Sequence, residues 1–438
     1  MKTTPYVRLL VLLIGCCLPL LTLRAQEEDA GRPLQFGDWT INPILGVQAW
    51  ATYTFDQKDY DTTLDDYVPV DNRLNFMLRR LRFGSTAQVG DRLFIKFLGA
   101  ADFVAADQRS ATVGGVNNGA FPNLQVWDIY ARYKISPNSE ALYVVGGFLR
   151  PPLGRESMSG AFGVSSFEKS FTQFYVRQQA TGTGPGGVGG VYLGGLHSPT
   201  ERVHLDYRGG VFNAQQGGIT SGRSSSPLLV GRVSVAFGDP ERPVWRYGLA
   251  NPNSFGTRRT FAVAVNASNE GRTAAAEMSS SLGADFALSL HHFHAEGEYY
   301  RFSREPVAPG GSSDNYTSNL WMVRTGFNID ITPTGAATAR YLEPSIMYWQ
   351  FNGATSPADF SRARGASFFV GQDRVLDVGL NYHLVPNHVR LSLHYVRFGE
   401  DPGEVPGDSP LLGLGNFQPG IGGIQRGDFV GFEVILSR

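Results

Sequence analysis

Apolar and polar residues alternate along sixteen separate segments of this chain. In the first of them, 41–55, Ile41, Leu45 and Val47 share one side of the alternation, and Asn42 and Gln48 share the other. A period of two predicts β-strands that are apolar on one face and polar on the other. The predicted strands are 41–55, 73–88, 93–103, 124–135, 141–149, 186–195, 203–213, 227–237, 258–267, 281–290, 293–302, 319–331, 341–351, 374–384, 388–398 and 428–436.

Two other strands show how such faces are composed. In 93–103 the predicted apolar face is Leu93, Ile95, Phe97, Ala101 and Phe103, opposite Lys96 and Asp102. In the strand near 125–135 it is Trp127, Ile129, Ala131, Tyr133 and Ile135, opposite Asp128, Tyr130, Arg132 and Lys134. Such a face packs on a core in a soluble β-sandwich and on lipid in a membrane barrel. Alternation alone leaves both open.

The first 25 residues differ from the rest of the chain. Lys2 and Arg8 precede an apolar run, and small Ala25 is followed by acidic residues, which is the layout of a secretory signal peptide cleaved after Ala25. Leu13 to Cys16 also resembles a lipoprotein signal. Both cysteines lie in this segment, so the mature chain has no thiol for a disulfide or a metal.

No later segment approaches the roughly 20 apolar residues of a membrane-spanning helix. A membrane form of the mature chain would therefore be a closed barrel. The predicted organisation is a signal peptide at 1–25, a short periplasmic lead-in at 26–40 and an outer-membrane β-barrel at 41–438.

The connections between predicted strands alternate between long and short. Long ones include 56–72, 104–123, 150–185, 352–373 and 399–427, whereas short turns lie at 90–92, 136–140, 291–292 and 385–387. This alternation favours an antiparallel barrel with short periplasmic turns and long outer loops, and sixteen strands would enclose an aqueous channel. One connection that should be short, 238–257, has about twenty residues. The strand count could therefore differ by two there.

Aromatic residues near the predicted strand ends suggest girdles at the membrane interfaces. They are Trp39, Trp50, Tyr53, Trp127, Tyr133, Trp321, Tyr348 and Trp349.

The longest connection, Arg150 to Pro185, combines paired charges with aromatic residues. Pro151 and Pro152 end the preceding strand, because they lack two backbone donors. Phe162, Phe167, Phe171, Phe174 and Tyr175 need a surface on which to pack. A loop folded into a wide barrel would bury these rings while leaving its charges in water or paired, so this third outer loop is predicted to lie in the pore.

Three segments resemble the phosphate-selective porin O/P family of outer-membrane channels. They are an arginine-rich strand from Leu74 to Gly84, a strand, turn and strand from Asp128 to Glu156 that lead into the third loop, and a late hairpin from Asp377 to Tyr395. The resemblance implies a homotrimer of sixteen-stranded barrels, with loop three folded inward to narrow each pore. Selective members use lysines at the constriction, whereas this loop holds one lysine, Lys169, among arginines.

A pore selects ions by charges at its constriction. The residues predicted to line an anion path are Arg80, Arg82, Arg132, Lys134, Arg150, Arg155, Lys169 and Arg177, with Glu156 and Glu168 as constriction acids. The alternative is that these bases pair with Asp102, Asp128, Glu156 and Glu168 and only stiffen the loop and the wall. The expected partners are small anions such as phosphate, outer-membrane lipid and two further copies of the chain; no nucleic acid is expected.

Other motifs favour neither a cofactor nor a metal. The glycine-rich run 182–187 has dinucleotide-loop spacing but precedes a predicted strand instead of a helix. His291, His292 and His294, and the acidic run from Asp56 to Asp66, lack metal-ligand spacing. No nucleophile motif is present, so we expect a channel in the outer membrane of a Gram-negative bacterium. The alternatives are a lipase-like barrel enzyme and a secreted β-sandwich.

Overall fold

Sixteen long strands dominate the structure, a computed structural model that describes residues 33–61, 63–64, 66–106, 124–213, 224–274, 276–307, 315–356, 362–363, 368–401 and 424–438. The predicted signal peptide, 1–25, and residues 26–32 of the predicted lead-in lie outside these residues. The strands are β1 Trp39–Phe55, β2 Arg73–Val89, β3 Leu93–Val104, β4 Gln125–Lys134, β5 Tyr143–Leu149, β6 Val188–Thr200, β7 Val203–Phe212, β8 Leu228–Gly238, β9 Arg259–Glu270, β10 Met278–Leu290, β11 Phe293–Glu305, β12 Tyr316–Phe327, β13 Tyr341–Asn352, β14 Gln372–Val385, β15 Val389–Asp401 and β16 Asp428–Ser437.

The strands close into one antiparallel barrel. Each pairs with its neighbours in sequence, and β1 pairs with β2 on one side and with β16 on the other, where Gly46 lies opposite Ser437. Closure satisfies the backbone groups of every edge, as hydrocarbon requires. The predicted sixteen-stranded antiparallel barrel is therefore confirmed.

The two faces of the strands have opposite surroundings. In β9, Phe261, Val263 and Val265 are exposed on the outside, while Asn266 and Glu270 are buried inside. A core-forming β-sandwich would bury the apolar face instead, so that interpretation is wrong. No helix in the described part of the chain is long and apolar enough to cross a membrane.

The third outer loop folds into the lumen, as predicted. It contains two α-helices, α1 Arg155–Met158 and α2 Thr172–Thr181, with a 3-10 helix, Ala161–Gly163, between them. Helix α2 ends at Gly182 in a left-handed conformation (φ 73°). The glycine-rich run thus caps a helix and leads into β6. The ring of Phe167 stacks on Trp50 of β1 at 4.5 Å between centroids, and that of Tyr175 stacks on Phe351 of β13 at 4.1 Å.

Ion pairs and hydrogen bonds fix this loop to the β10–β14 side of the barrel. Arg155 Nε lies 3.0 Å from Asp285 Oδ1, and Glu156 Oε1 accepts a hydrogen bond from Arg324 Nη2 at 2.6 Å. The Phe167 amide donates to Asp377 at 2.8 Å. Because these charges are buried and matched, this side of the loop is a structural anchor and leaves little free charge.

The anomalous long connection on the periplasmic side forms no strand, so the count of sixteen stands. Residues 239–258 instead enter the lumen beneath loop three, and we call this segment the lumen strap. The ring of Trp245 stacks on that of Tyr143 of β5 at 4.9 Å between centroids. The backbone carbonyl of Trp245 accepts a hydrogen bond from Arg132 of β4 at 2.8 Å. Asn253 donates to Glu343 of β13 at 3.1 Å. The strap therefore contacts strands far apart around the barrel.

The strap also holds loop three from below. Glu241 accepts from Arg155 Nη2 at 2.6 Å, and the Leu249 amide donates to the Met158 carbonyl at 3.3 Å. The Tyr247 hydroxyl donates to the carbonyl of Arg150 at 3.0 Å, at the start of the loop. Loop and strap together fill much of the lumen and leave space beside β2, β3 and β4.

Candidate pore site

A cavity of about 610 Å³ lies between loop three and the barrel wall formed by β2, β3 and β4. The wall contributes Arg79, Arg80, Arg82, Lys96, Asp102, Phe103, Trp127 and Asp128. The loop contributes Arg150, Phe162, Glu168, Lys169, Phe171, Phe174 and Arg177. Most of the charged groups predicted for the constriction thus meet in one place.

Two β-bulges turn extra side chains into this cavity. Between β1 and β2 the pairing passes from Gln48 opposite Arg80 to Ala49 opposite Leu78, so Arg79 is the extra residue and is buried inside. Between β3 and β4 the register shifts at Leu98, and Trp127 is extra in the same way. A bulge interrupts the period of two, so neighbouring residues can face the same side.

The predicted outward positions of Trp127 and Phe103 are therefore wrong. The Arg82 guanidinium lies over the Trp127 ring, 4.3 Å from its centroid, and the Arg79 guanidinium lies 3.9 Å from that of Phe103. The backbone of Phe103 has a φ of 57°, which departs from regular strand geometry. Trp50 and Trp349, predicted for a membrane girdle, are also buried in the lumen.

Glu168 joins loop three to the arginines of β2. Its carboxylate accepts from Arg79 Nε and Arg80 Nη2, while Arg80 Nη1 donates to Gln48 at 2.6 Å. Burial tends to raise the pKa of Glu168, but Arg79 and Arg80 outweigh burial and bring that pKa below its usual value. Glu168 therefore remains ionised and holds two guanidinium groups in the cavity wall.

The remaining wall cations are also paired, but they share acids. Arg82 binds Asp102 in a bidentate pair, with its Nη2 at 3.0 Å from Oδ2. Asp128 serves two cations, since it lies 3.1 Å from Lys96 Nζ and 3.5 Å from Arg150 Nη2. One carboxylate cannot neutralise both cations.

Lys169 and Arg177 have no ion pair with a carboxylate among the described residues. Lys169 Nζ donates to the carbonyls of Glu156 and Ser159, the latter at 2.9 Å, and Arg177 Nη2 donates to the Ser157 carbonyl at 2.7 Å. Among the described lining residues, seven cations therefore face three carboxylates. The predicted alternative of structural pairing describes part of the site, yet positive charge remains in excess.

The predicted site residues divide into two groups. Arg80, Arg82, Arg150, Lys169, Arg177 and Glu168 line the cavity. Arg132 and Lys134 lie toward the periplasmic end, where Arg132 binds the strap and Lys134 pairs with Glu140. Arg155 and Glu156 are buried in the anchor of loop three. These four are placed away from the cavity.

Sequence reasoning missed Arg79, Lys96 and Trp127 as lining residues. Strict alternation puts Arg79 on the lipid face, where a guanidinium is costly, and that conflict is the signal that could have revealed the bulge. Among the described residues, no group of three or more His, Cys, Asp or Glu is arranged to hold a metal ion.

The sequence matches no protein-family model and no curated protein. Solved structures of outer-membrane porins are similar in fold. An anion-selective porin from Comamonas acidovorans superposes with a TM-score of 0.53 and 11% identity, covering 91% of this chain and 100% of that chain. The outer-membrane channel DcaP of Acinetobacter baumannii gives 0.53 and 13%, covering 92% and 99%.

The fold of this chain is therefore that of the outer-membrane porin barrels. An apolar outer face around a closed barrel with a polar lumen belongs in a bilayer. Fold and surface together place the chain in the outer membrane of a Gram-negative bacterium, as predicted.

Proposed function

We propose that this protein is an outer-membrane channel for the passive diffusion of small hydrophilic solutes, with a preference for anions. The observation that carries the proposal is the excess of cations over carboxylates in the cavity between loop three and β2–β4. Charges at a narrow site act strongly on a passing ion, because the surrounding protein screens them less than bulk water does. Phosphate, the solute favoured by the resembling family, is included in this proposal.

The asymmetry of loop three supports this assignment. Toward β10–β14 its charges are matched by acids and bases of the wall, as in the Arg155–Asp285 and Glu156–Arg324 pairs. Toward β2–β4 the cations outnumber the acids. An anion in the cavity would meet the unbalanced side.

The homotrimer implied by the family resemblance is a further proposal, which light scattering of the detergent-solubilised protein would test.

The test of the proposed function is conductance in planar lipid bilayers. Purified protein is expected to form channels whose reversal potential in a potassium chloride gradient shows that chloride carries most of the current. If the folded protein formed no channels in the bilayer, that result would contradict the proposed channel function. Current carried mainly by potassium would contradict the anion preference.

The selectivity is expected to fall as the pH rises, because Lys169 loses its proton early. Burial lowers the pKa of its ammonium group well below the usual 10.5, against the opposing effect of Glu156. Since the charge is present below the lowered pKa and lost above it, the chloride-to-potassium permeability ratio should already decrease at pH values below the usual 10.5. The measurement is the reversal potential across these pH values.

Lys169→Arg is the matched control, because a guanidinium holds its proton to higher pH than an ammonium group. It should abolish the part of the decrease that is due to Lys169, and Lys169→Gln should show a lower ratio already at neutral pH. Burial and the neighbouring Arg150 lower the pKa of Arg177 to about 9, so a decrease near that pH should remain in both variants. An equal decrease in Lys169→Arg would assign the titration to another group.

A further inference from the structure

The cavity has two unlike sides. The barrel wall supplies guanidinium and ammonium groups from Arg79, Arg80, Arg82 and Lys96. The loop opposite supplies aromatic rings, of which Phe171 and Phe174 stack on each other at 4.6 Å between centroids. The wall also carries Trp127, which lies under Arg82, and the loop also carries Arg150, Lys169 and Arg177. A solute in the cavity would therefore contact guanidinium groups at the wall and, at the loop, apolar rings that lie next to further cations.

Part of the aromatic surface in the cavity remains accessible after the side chains have packed. Trp127, Phe162 and Phe174 line the cavity and are only partly buried, although each carries a large apolar face. Apolar surface left in contact with water is unfavourable, and a solute that covers it gains that free energy. A hydrated inorganic anion cannot cover it.

The position of Phe162 shows that the ring is built into the wall of this site. It lies against Gly46 of β1, where an added Cβ would come within 2.5 Å of a ring carbon. Only glycine lets the ring approach the strand so closely. The loop side of the cavity thus keeps an aromatic surface next to the strands that carry the cations.

The volume points to a solute larger than an inorganic ion. A cavity of about 610 Å³ is within the range of sites that enclose organic molecules. Guanidinium groups match a carboxylate with paired hydrogen bonds, and aromatic rings pack on a planar apolar body in offset or edge-to-face arrangements.

We propose that this cavity binds organic carboxylates with an apolar ring, such as aromatic carboxylates, in preference to inorganic anions and small aliphatic acids. The carboxylate would lie toward Arg79, Arg80 and Arg82 of the wall, and the ring toward Phe162, Phe171 and Phe174 of the loop. The inference rests on the proposed function and deepens it, because it names the class of anion that the channel retains.

Binding of small molecules to the purified full-length protein in detergent tests this inference without a conductance measurement. Three probes are titrated calorimetrically: benzoate, acetate, which keeps the carboxylate, and benzyl alcohol, which keeps the ring. Benzoate is expected to bind at least about fivefold more tightly than acetate, since ring packing adds to the ion pair. Benzyl alcohol should bind more weakly than benzoate, because it lacks the charge.

Variants assign the effect to the cavity. Phe162→Leu and Phe174→Leu should each weaken benzoate binding about threefold and leave acetate unchanged. Phe97→Leu is the matched control, because Phe97 is exposed on the outer face of β3. Equal affinities for benzoate and acetate, or equal losses for both probes in both cavity variants, would overturn the inference.

The outcome separates this inference from the proposed function. Anion-selective current together with equal binding of benzoate and acetate would reject the solute class and keep the channel. Selective benzoate binding by a protein that passes no anion current would reject the channel and keep the binding site.

Discussion

Replacing Arg79, Arg80 and Arg82 together with glutamine is expected to remove the anion preference of the channel. The three cations lie side by side on β2, and without them four cations would face three carboxylates in the cavity. Glu168 and Asp102 would also lose their strongest partners and add negative potential. At a few ångströms, each charge is worth about 1 kcal/mol or more to a passing ion, so the chloride-to-potassium permeability ratio should fall at least about tenfold.

A charge-conserving variant separates the effect of the lost charge on selectivity from the effect of an altered cavity structure. With lysine at the same three positions the sign of selectivity should persist, although paired hydrogen bonds to Glu168 and Asp102 are lost. A second control replaces Arg92, Arg202 and Arg259, which are exposed on the protein surface, with glutamine. Reversal potentials in a salt gradient report all three. An unchanged ratio in the folded cavity variant would show that ions pass elsewhere.

The barrel could be predicted from sequence because its strands obey one physical rule. Each strand has lipid on one side and the lumen on the other, so hydrophobicity alternates wherever the ladder is regular. The observed β3, Leu93–Val104, and β7, Val203–Phe212, agree with the predicted 93–103 and 203–213 to within one residue. Loop three could be placed inside because its aromatic residues required a packing surface.

The site was less predictable because it depends on departures from that rule. One extra residue at a bulge changes which side chains face the lumen, and so the predicted side of Trp127 is wrong and Arg79 is absent from the predicted lining residues. Composition also could not separate cations that line the cavity from cations that fix the loop. Arg150 and Arg155 are five positions apart, yet Arg150 lines the cavity while Arg155 is fully buried between Asp285 and Glu241.

The largest change in conductance is expected from removal of the lumen strap. Asp239 and Arg259 already join β8 to β9, since the Asp239 amide donates to the Arg259 carbonyl at 2.8 Å. Replacing 240–258 with Asn-Gly would close this pair with a two-residue hairpin turn. The strap crosses the lumen between Tyr143 and Glu343, so its removal should raise single-channel conductance at least about twofold.

The ion selectivity of the shortened variant distinguishes a pore that is only wider at its periplasmic exit from a pore whose cavity is damaged. No strap residue is among the described residues that line the cavity, so the shortened variant should still prefer anions, and Arg155 should still pair with Asp285. Val244→Thr, an exposed position on the strap, is the matched control and should leave conductance unchanged. Resistance of the folded barrel to unfolding in detergent verifies assembly. Unaltered conductance in a folded, shortened variant would mean that solutes bypass the strap along β1–β4, where the cavity already leaves space.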